Sequence, residues 1–221
     1  MDDPEITQIA AQRAKRLDAA SLSRSTDLTQ ADLVLISKIE SLESIAFIGG
    51  QFESYEPLAA LPLLTKLAIN HWSDEDLSSV GSIVQLRELD LGENEQYTNI
   101  QFVSKLKNLE SIRFTDGQFS DLSPLAGLTK LRTLDLMNCD CVTDLSPLKH
   151  STNLEELNLC GTGITSLDSL SGLSKLSFLD LRGTDINDLS PLAGKDFTSG
   201  LILDDKTNYI NRPKGKRDSV G

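Results

Sequence analysis

The chain has 221 residues, of which 38 are leucine, roughly 17 %, and only 11 are aromatic. Lysine and arginine number 21 against 33 aspartates and glutamates, which gives a net charge of −12. Because no apolar run approaches the ~18 residues of a membrane-spanning helix, the composition excludes a transmembrane protein. The abundant leucine also excludes a collagen-like chain and a disordered acidic chain, and it indicates a repeat architecture.

The N-terminal residues lead to two expectations. The start, Met1–Glu5, has neither a basic nor an apolar segment, so the sequence predicts no secretory signal and a cytoplasmic chain, or a secreted one if a signal was removed. An odd number of cysteines, three, is also typical of a reducing compartment. Residues 3–19 then show an amphipathic pattern, with Asp3 as N-cap and Pro4 at the first helical position. We expect this helix to cap the N-terminal end.

A single pattern, L-x-x-L-x-L, recurs along most of the chain at intervals of 22 or 23 residues. The leucines that open its seven copies are Leu42, Leu64, Leu86, Leu109, Leu131, Leu154 and Leu176. Half a unit precedes the array at Leu33, Ile36 and Ile39, and an eighth strand follows at residues 201–203. The predicted organisation is therefore an N-terminal helical cap with a half repeat over 1–41, seven repeats over 42–197, and a last strand, C-terminal cap and basic tail over 198–221.

Each repeat is expected to form one coil of a solenoid. The last two apolar residues of the pattern alternate with polar ones, as in a strand, and segments such as Ser123–Leu125 then break the chain so that it returns on the other side. A single coil can bury its leucines only against its neighbours, so the array folds as a unit. Eight strands spaced ~4.8 Å apart give a parallel sheet about 34 Å long. At the C-terminal end, Lys195 replaces an expected core leucine, and Tyr209 and Ile210 are expected to fold back onto the last coil.

Three segments carry a resemblance to a known family. Leu109–Phe114, Asp121–Leu131 and Leu179–Leu192 resemble leucine-rich repeats, in particular the bacterial internalin-like class of 22 residues. The resemblance implies an α/β repeat solenoid: a horseshoe with a parallel concave β-sheet, short return segments on the convex side and an N-terminal helical cap. It also implies a non-catalytic protein-binding function. Members of the family usually carry asparagine at the ninth position of the repeat, which here holds Gly50, Trp72, Asn94, Gly117, Cys139, Thr162 and Thr184.

The residues that usually carry chemistry do not form a catalytic or metal-binding pattern. His71 and His150 lie about three coils apart on different sides of the predicted solenoid, so they cannot share a site. Cys139, Cys141 and Cys160 fall in adjacent coils but have no suitable fourth ligand. The acidic run over 74–76 lacks the spacing of a calcium loop. We therefore predict no enzyme activity, no metal site and no cofactor.

Outward-facing positions of the strands are the remaining candidates. The third, fifth and seventh positions of successive repeats should stack into three columns on the concave face, which we call columns three, five and seven. Exposed apolar and acidic side chains in these columns, with an aromatic residue at the rim, predict a partner-binding surface. Its candidate residues are Trp72, Glu88, Asp90, Arg113, Asp135, Met137, Glu156, Phe178, Asp180 and Arg182.

Charge indicates the kind of partner. Residues 206–221 carry a net charge of +4, so that residues 1–205 carry −16. Such an acidic body repels phosphates, which speaks against nucleic acid and favours a protein partner with a basic or mixed-charge surface. The sequence thus predicts a monomeric protein-binding module. Alternatives are a sensing domain of a larger protein and a secreted or injected bacterial factor that binds host proteins.

Overall fold

The computed structural model describes residues 28–48, 52–70, 76–92, 97–205 and 209–211. In these ranges one helix, α1 (Gln30–Ile36), precedes eight short strands. The strands are β1 (Ser44–Ile48), β2 (Lys66–Asn70), β3 (Glu88–Leu91), β4 (Ser111–Phe114), β5 (Thr133–Asp135), β6 (Glu156–Asn158), β7 (Phe178–Asp180) and β8 (Gly200–Ile202). Each strand pairs in parallel with the next one along the chain. This single open sheet confirms the predicted horseshoe solenoid.

Short 3-10 helices bring the chain back along the convex side. They span Glu56–Ala60, Ser78–Ser82, Gln101–Lys105, Ser123–Leu125, Ser146–His150, Asp168–Leu170 and Ser190–Leu192. Four of them begin at a serine whose N–H donates to an aspartate two residues earlier, as Ser123 does to the Oδ1 atom of Asp121 at 2.8 Å. In three of these four the residue after the serine is proline. Proline suits this position, because it lacks an N–H and its fixed φ fits the first helical turn. The Asp-x-Ser-Pro segment therefore sets the return turn.

The core lies between the sheet and the 3-10 helices. The inward positions of β1 to β7 are almost fully buried, as Leu134 and Leu157 illustrate with 0 % exposure, whereas Leu201 of β8 is partly buried. In the first four repeats, aromatic side chains fill the remaining space. One cluster joins Phe47, Phe52 and Tyr55, with ring centroids 5.0 to 6.2 Å apart. A second joins Tyr97, Phe114 and Phe119 at 5.2 to 6.1 Å.

The ninth position of the repeat lies inside the turn that follows each strand. There the hydroxyl of Thr162 donates to the Leu159 carbonyl at 2.7 Å, and Thr184 donates to the Leu181 carbonyl in the same way. The buried Cys139 thiol lies 3.2 Å from the Phe114 carbonyl. These groups donate hydrogen bonds to backbone carbonyls of the turn, a role that the amide of an asparagine could also fill. Gly117 has no space for a side chain, since a Cβ there would lie 2.5 Å from the Phe119 ring.

The N-terminal end of the described array is closed by α1. Thr29 and Asp32 form a capping box at its first turn, and Leu33 and Ile36 are buried against the first coil. Two of the three residues of the predicted half repeat therefore belong to a helix, which packs against the 3-10 helix Glu56–Ala60. The amphipathic helix predicted over residues 3–19 lies outside the described residues.

At the C-terminal end, the chain folds back onto the last coil as expected for Tyr209 and Ile210. The Leu189 N–H donates to the Ile210 carbonyl at 2.9 Å, and the Tyr209 hydroxyl accepts from the Asp204 N–H. Tyr209 packs against the core, whereas the Ile210 side chain is 56 % exposed. The Lys195 amine, half-buried in a leucine position, donates to the carbonyls of Ser171 and Leu173 at 2.9 and 2.7 Å. Burial lowers the pKa of this amine.

Candidate functional site

The outward-facing side chains of the strands stack as the repeat spacing predicts. The register aligns Glu88 with Ser111 and Asp90 with Arg113, and equivalent positions stay aligned from β1 to β8 at offsets of 22 or 23 residues. Column three therefore reads Ser44, Lys66, Glu88, Ser111, Thr133, Glu156, Phe178 and Gly200. Column five reads Ala46, Ala68, Asp90, Arg113, Asp135, Asn158, Asp180 and Ile202. Inward leucines between these columns hold their backbone rigid, so the columns form one continuous surface.

A shallow trough of about 560 Å³ runs across this surface from β1 to β7. It is lined by columns three and five, and we call it the concave trough. Six of the candidate residues line it, namely Glu88, Asp90, Arg113, Asp135, Glu156 and Phe178. Lys66, Ala46 and Ala68 also line it and were not among the candidates, although their columns placed them on this face. The candidate residues Met137, Asp180 and Arg182 do not line the trough.

Ion pairs occupy the middle of the trough. Arg113 lies between two carboxylates, with its Nη1 atom 3.1 Å from Asp90 Oδ2 and its Nε atom 3.5 Å from Asp135 Oδ2. One strand away, the Lys66 amine lies 2.8 Å from the Glu88 carboxylate. Burial raises the pKa of Asp135, although the Met137 N–H and Arg113 act in the opposite direction. Both cations that line the trough are thus already paired with its carboxylates.

A different environment surrounds the end of the trough at β6 and β7. The register places Glu156 directly beside Phe178 in column three. Glu156 is exposed and makes no ion pair with another described residue, whereas the Phe178 ring is half-buried. On its other side the ring approaches Gly200, where a Cβ would lie 3.5 Å from it. This end of the trough therefore presents an uncompensated carboxylate next to an accessible aromatic ring.

The remaining candidates have different surroundings from those expected. Asp180 is only 2 % exposed, so the expectation that its side chain projects into solvent is wrong. The reason is Arg182 two residues later, whose Nε and Nη2 atoms lie 3.0 and 2.6 Å from the two Asp180 oxygens and cover them. Met137 is half-buried in column seven, and its N–H donates to the Oδ1 atom of Asp135. Trp72 lies outside the described residues.

The histidines and cysteines are dispersed. His150 is exposed at the end of a convex 3-10 helix, while His71 lies outside the described residues. The three cysteines are free, and burial raises the pKa of the Cys139 thiol to about 12, so this thiol is not activated as a nucleophile. Within the described ranges, no three His, Cys, Asp or Glu side chains come together in a possible metal site. No helix in the same ranges is long and apolar enough to cross a membrane.

Comparisons with known proteins agree with this geometry. The family model described as Leucine Rich repeats (2 copies) matches residues 107–150 and 152–194. No curated protein sequence matches the chain. Among solved structures, the internalin InlF from Listeria monocytogenes is 25 % identical, with a TM-score of 0.68, and the match covers 82 % of this chain and 52 % of InlF. The chain thus spans about half the length of that internalin.

Two further structures extend the comparison. Internalin C2 from the same bacterium is 26 % identical, with a TM-score of 0.66 and coverage of 80 % of this chain and 84 % of that one. A plant peptide hormone receptor, RGFR1 in complex with RGF2, shares the fold at 18 % identity and a TM-score of 0.56, covering 70 % of this chain and 27 % of the receptor. Leucine-rich repeat proteins are generally non-enzymatic protein-interaction modules. The repeats, the parallel sheet and these neighbours show a leucine-rich repeat solenoid that is similar to the internalins.

Proposed function

We propose that this protein is a non-catalytic binding module that holds a protein partner on its concave face. The concave trough is the observation that carries this proposal. It crosses seven strands and combines charged, small and aromatic side chains on a rigid sheet, and such extended concave surfaces are where solenoid proteins bind. The predicted sheet length of about 34 Å offers area on the scale of a standard protein interface.

The partner we propose is a protein with a basic or mixed-charge surface. The acidic body, with −16 over residues 1–205, supports this choice. Nucleic acid is the less suitable ligand because phosphates are repelled by the same charge. We propose a cytoplasmic location, which the three free thiols support, and fractionation of the source cells distinguishes it from secretion.

Site-specific photo-crosslinking tests the face that is used. A photoreactive amino acid is placed at Thr133 in column three, or at the exposed Lys149 in the convex 3-10 helix Ser146–His150, and each purified protein is irradiated in lysate of the source cells. We expect a protein cross-linked from position 133 and absent from position 149. Cross-linking from position 149 alone would place the binding surface on the convex side.

Once the partner is in hand, substitutions separate binding from folding. Arg113→Ala should lower the affinity while the free energy of unfolding changes by less than ~0.5 kcal/mol, because Arg113 is exposed. Phe178→Ala should also lower the affinity, with a loss of about 1 kcal/mol in the free energy of unfolding because its ring is half-buried. The convex substitution Lys149→Ala should change neither quantity. Isothermal titration and chemical denaturation measure the two. If Lys149→Ala abolishes binding and both concave variants bind normally, the proposal is wrong.

A further inference from the structure

The dimensions of the concave trough limit what can lie in it. From β1 to β7 it crosses six strand spacings, roughly 29 Å. The two columns that line it stand two residues apart on each strand, roughly 6.6 Å. An α-helix, with a diameter of about 10–12 Å, is wider than this spacing. A single extended chain fits the shape, and roughly nine residues at about 3.3 Å each would span the length.

Charge differs along the trough. In its middle, Arg113 is held between two aspartates and Lys66 is paired with Glu88. The Glu156 carboxylate, in contrast, has no ion-pair partner in the described part of the chain. The trough therefore offers an incoming segment a free anion at one end and no free cation. A basic side chain complements that end.

Phe178, the neighbour of Glu156, favours arginine over lysine as the basic side chain of the ligand. Phe178 lies on the next strand at the same level, about 4.8 Å away in the sheet. A guanidinium group can stack on an aromatic ring while its N–H groups donate to a carboxylate, whereas an ammonium is a point charge without a stacking plane. Asp180, which lies near the same end, cannot serve instead, because Arg182 already covers both of its oxygens.

From these observations we infer that the partner lays an extended segment along the concave trough and places one arginine of that segment between Glu156 and Phe178. The inference rests on the proposed concave-face function and adds the form of the ligand and its anchoring residue. At the other end, the small side chains of Ser44, Ala46 and Ala68 leave room for the rest of the segment.

A library of nonapeptides tests this directly with the full chain. Each of the nine positions is fixed in turn as arginine, lysine, glutamate, glutamine or leucine, with the others randomised, and binding to the immobilised protein is measured. We expect selection of arginine at one position and rejection of glutamate there. Selection of peptides without a basic residue, or no selection at all, would overturn the inference.

A double-mutant cycle then tests the anchor. Replacing the selected arginine by citrulline removes its charge at nearly constant shape, and Glu156→Gln does the same on the protein. Each change alone should weaken binding about five- to tenfold, as for a charge-assisted hydrogen bond, and the two together should weaken it no further. Phe178→Leu should weaken the arginine peptide by about threefold and leave the citrulline peptide unaffected.

Glu53→Gln is the matched control, because Glu53 is also exposed and lies outside the trough. It should leave the affinity of both peptides unchanged. Independent losses for citrulline and Glu156→Gln would overturn the assignment of the anchor. If no peptide binds while position 133 still cross-links to a folded partner, the extended-segment inference fails and the concave-face function stands. If peptides bind but protect only the convex side from hydrogen exchange, both are wrong.

Discussion

The first four repeats and the last three build the same coil from different side chains. In the first four, β1 to β4 have four or five residues, and two clusters of three aromatic rings fill the core next to them. We call each of these clusters an aromatic corner. In the last three, β5 to β7 have three residues each, and leucines pack with a small hydroxyl or thiol inside the turn. The family match begins only at residue 107. The comparison shows that each coil needs a filled core beside its strand and hydrogen-bond donors for the carbonyls of its turn. Several residue types can supply both.

The largest effect should come from emptying an aromatic corner. Phe114→Ala removes a fully buried ring that contacts both Tyr97 and Phe119, and it should lower the free energy of unfolding by ~3–5 kcal/mol. Leu157→Ala in the second region should cost ~2–5 kcal/mol, with the smaller values if the leucine coil closes around the cavity. Urea denaturation of the full chain measures both. A Phe114→Ala cost clearly below that of Leu157→Ala would contradict the role we give the aromatic corner.

A second prediction concerns Gly161, in the turn that follows β6. Gly161 has a φ of +71°, and a Cβ there would lie 2.7 Å from the Asn138 Oδ1 atom. Gly161→Ala should therefore cost about 2 kcal/mol, of which the left-handed backbone accounts for ~1–2 kcal/mol. Gly172→Ala is the matched control, because a Cβ at Gly172 meets nothing within 4 Å. Equal stability of the two variants in thermal and chemical denaturation would show that the turn tolerates a side chain at position 161.

The bonded turn carbonyls give a smaller effect. Thr162→Val keeps the shape of the buried side chain but removes the hydroxyl that donates to the Leu159 carbonyl, so we expect a loss of about 1 kcal/mol. Thr162→Ser retains the hydroxyl and should retain that hydrogen bond, which hydrogen exchange in the turn would report. A valine variant as stable as the parent would mean that the Leu159 carbonyl, which also accepts from the Thr162 N–H, needs no side-chain donor.

The smallest effect is a pH dependence on the concave face. Burial holds the pKa of Asp135 above its usual value, so the folded protein binds a proton there more tightly than the unfolded chain does. Its ionised form therefore costs stability at neutral pH, and the cost disappears as the pH falls through the raised pKa. Asp135→Asn should gain less than about 1 kcal/mol over the parent at pH 7 and lose that gain near pH 4. A constant difference across this range would show that Asp135 does not titrate as the structure indicates.

Much of this architecture could be predicted from the sequence. The spacing of 22 or 23 residues places Glu88, Asp90 and Arg113 in the columns where the structure has them, because a strict period transfers one coil's orientation to the next. The period does not determine which side chains of one face bond each other. Asp180 illustrates this: its column position predicts exposure, and only the bond from Arg182 buries it. Nor did the pattern predict the aromatic corners, since they replace the leucine packing on which it depends.

Lys195 has a consequence for how such an array could lengthen by gene duplication. Its amine takes a leucine position and binds two carbonyls of the preceding coil. A tandem copy of the unit that carries it would place this partly desolvated amine under a further coil, where an added apolar layer would penalise its charge. A copy of an internal unit such as residues 109–130, which carries Leu128 at this position, would place leucine on leucine instead. Repeat number in this lineage should therefore vary by gain or loss of internal units, with the unit that carries the lysine kept at the C-terminal end of the array.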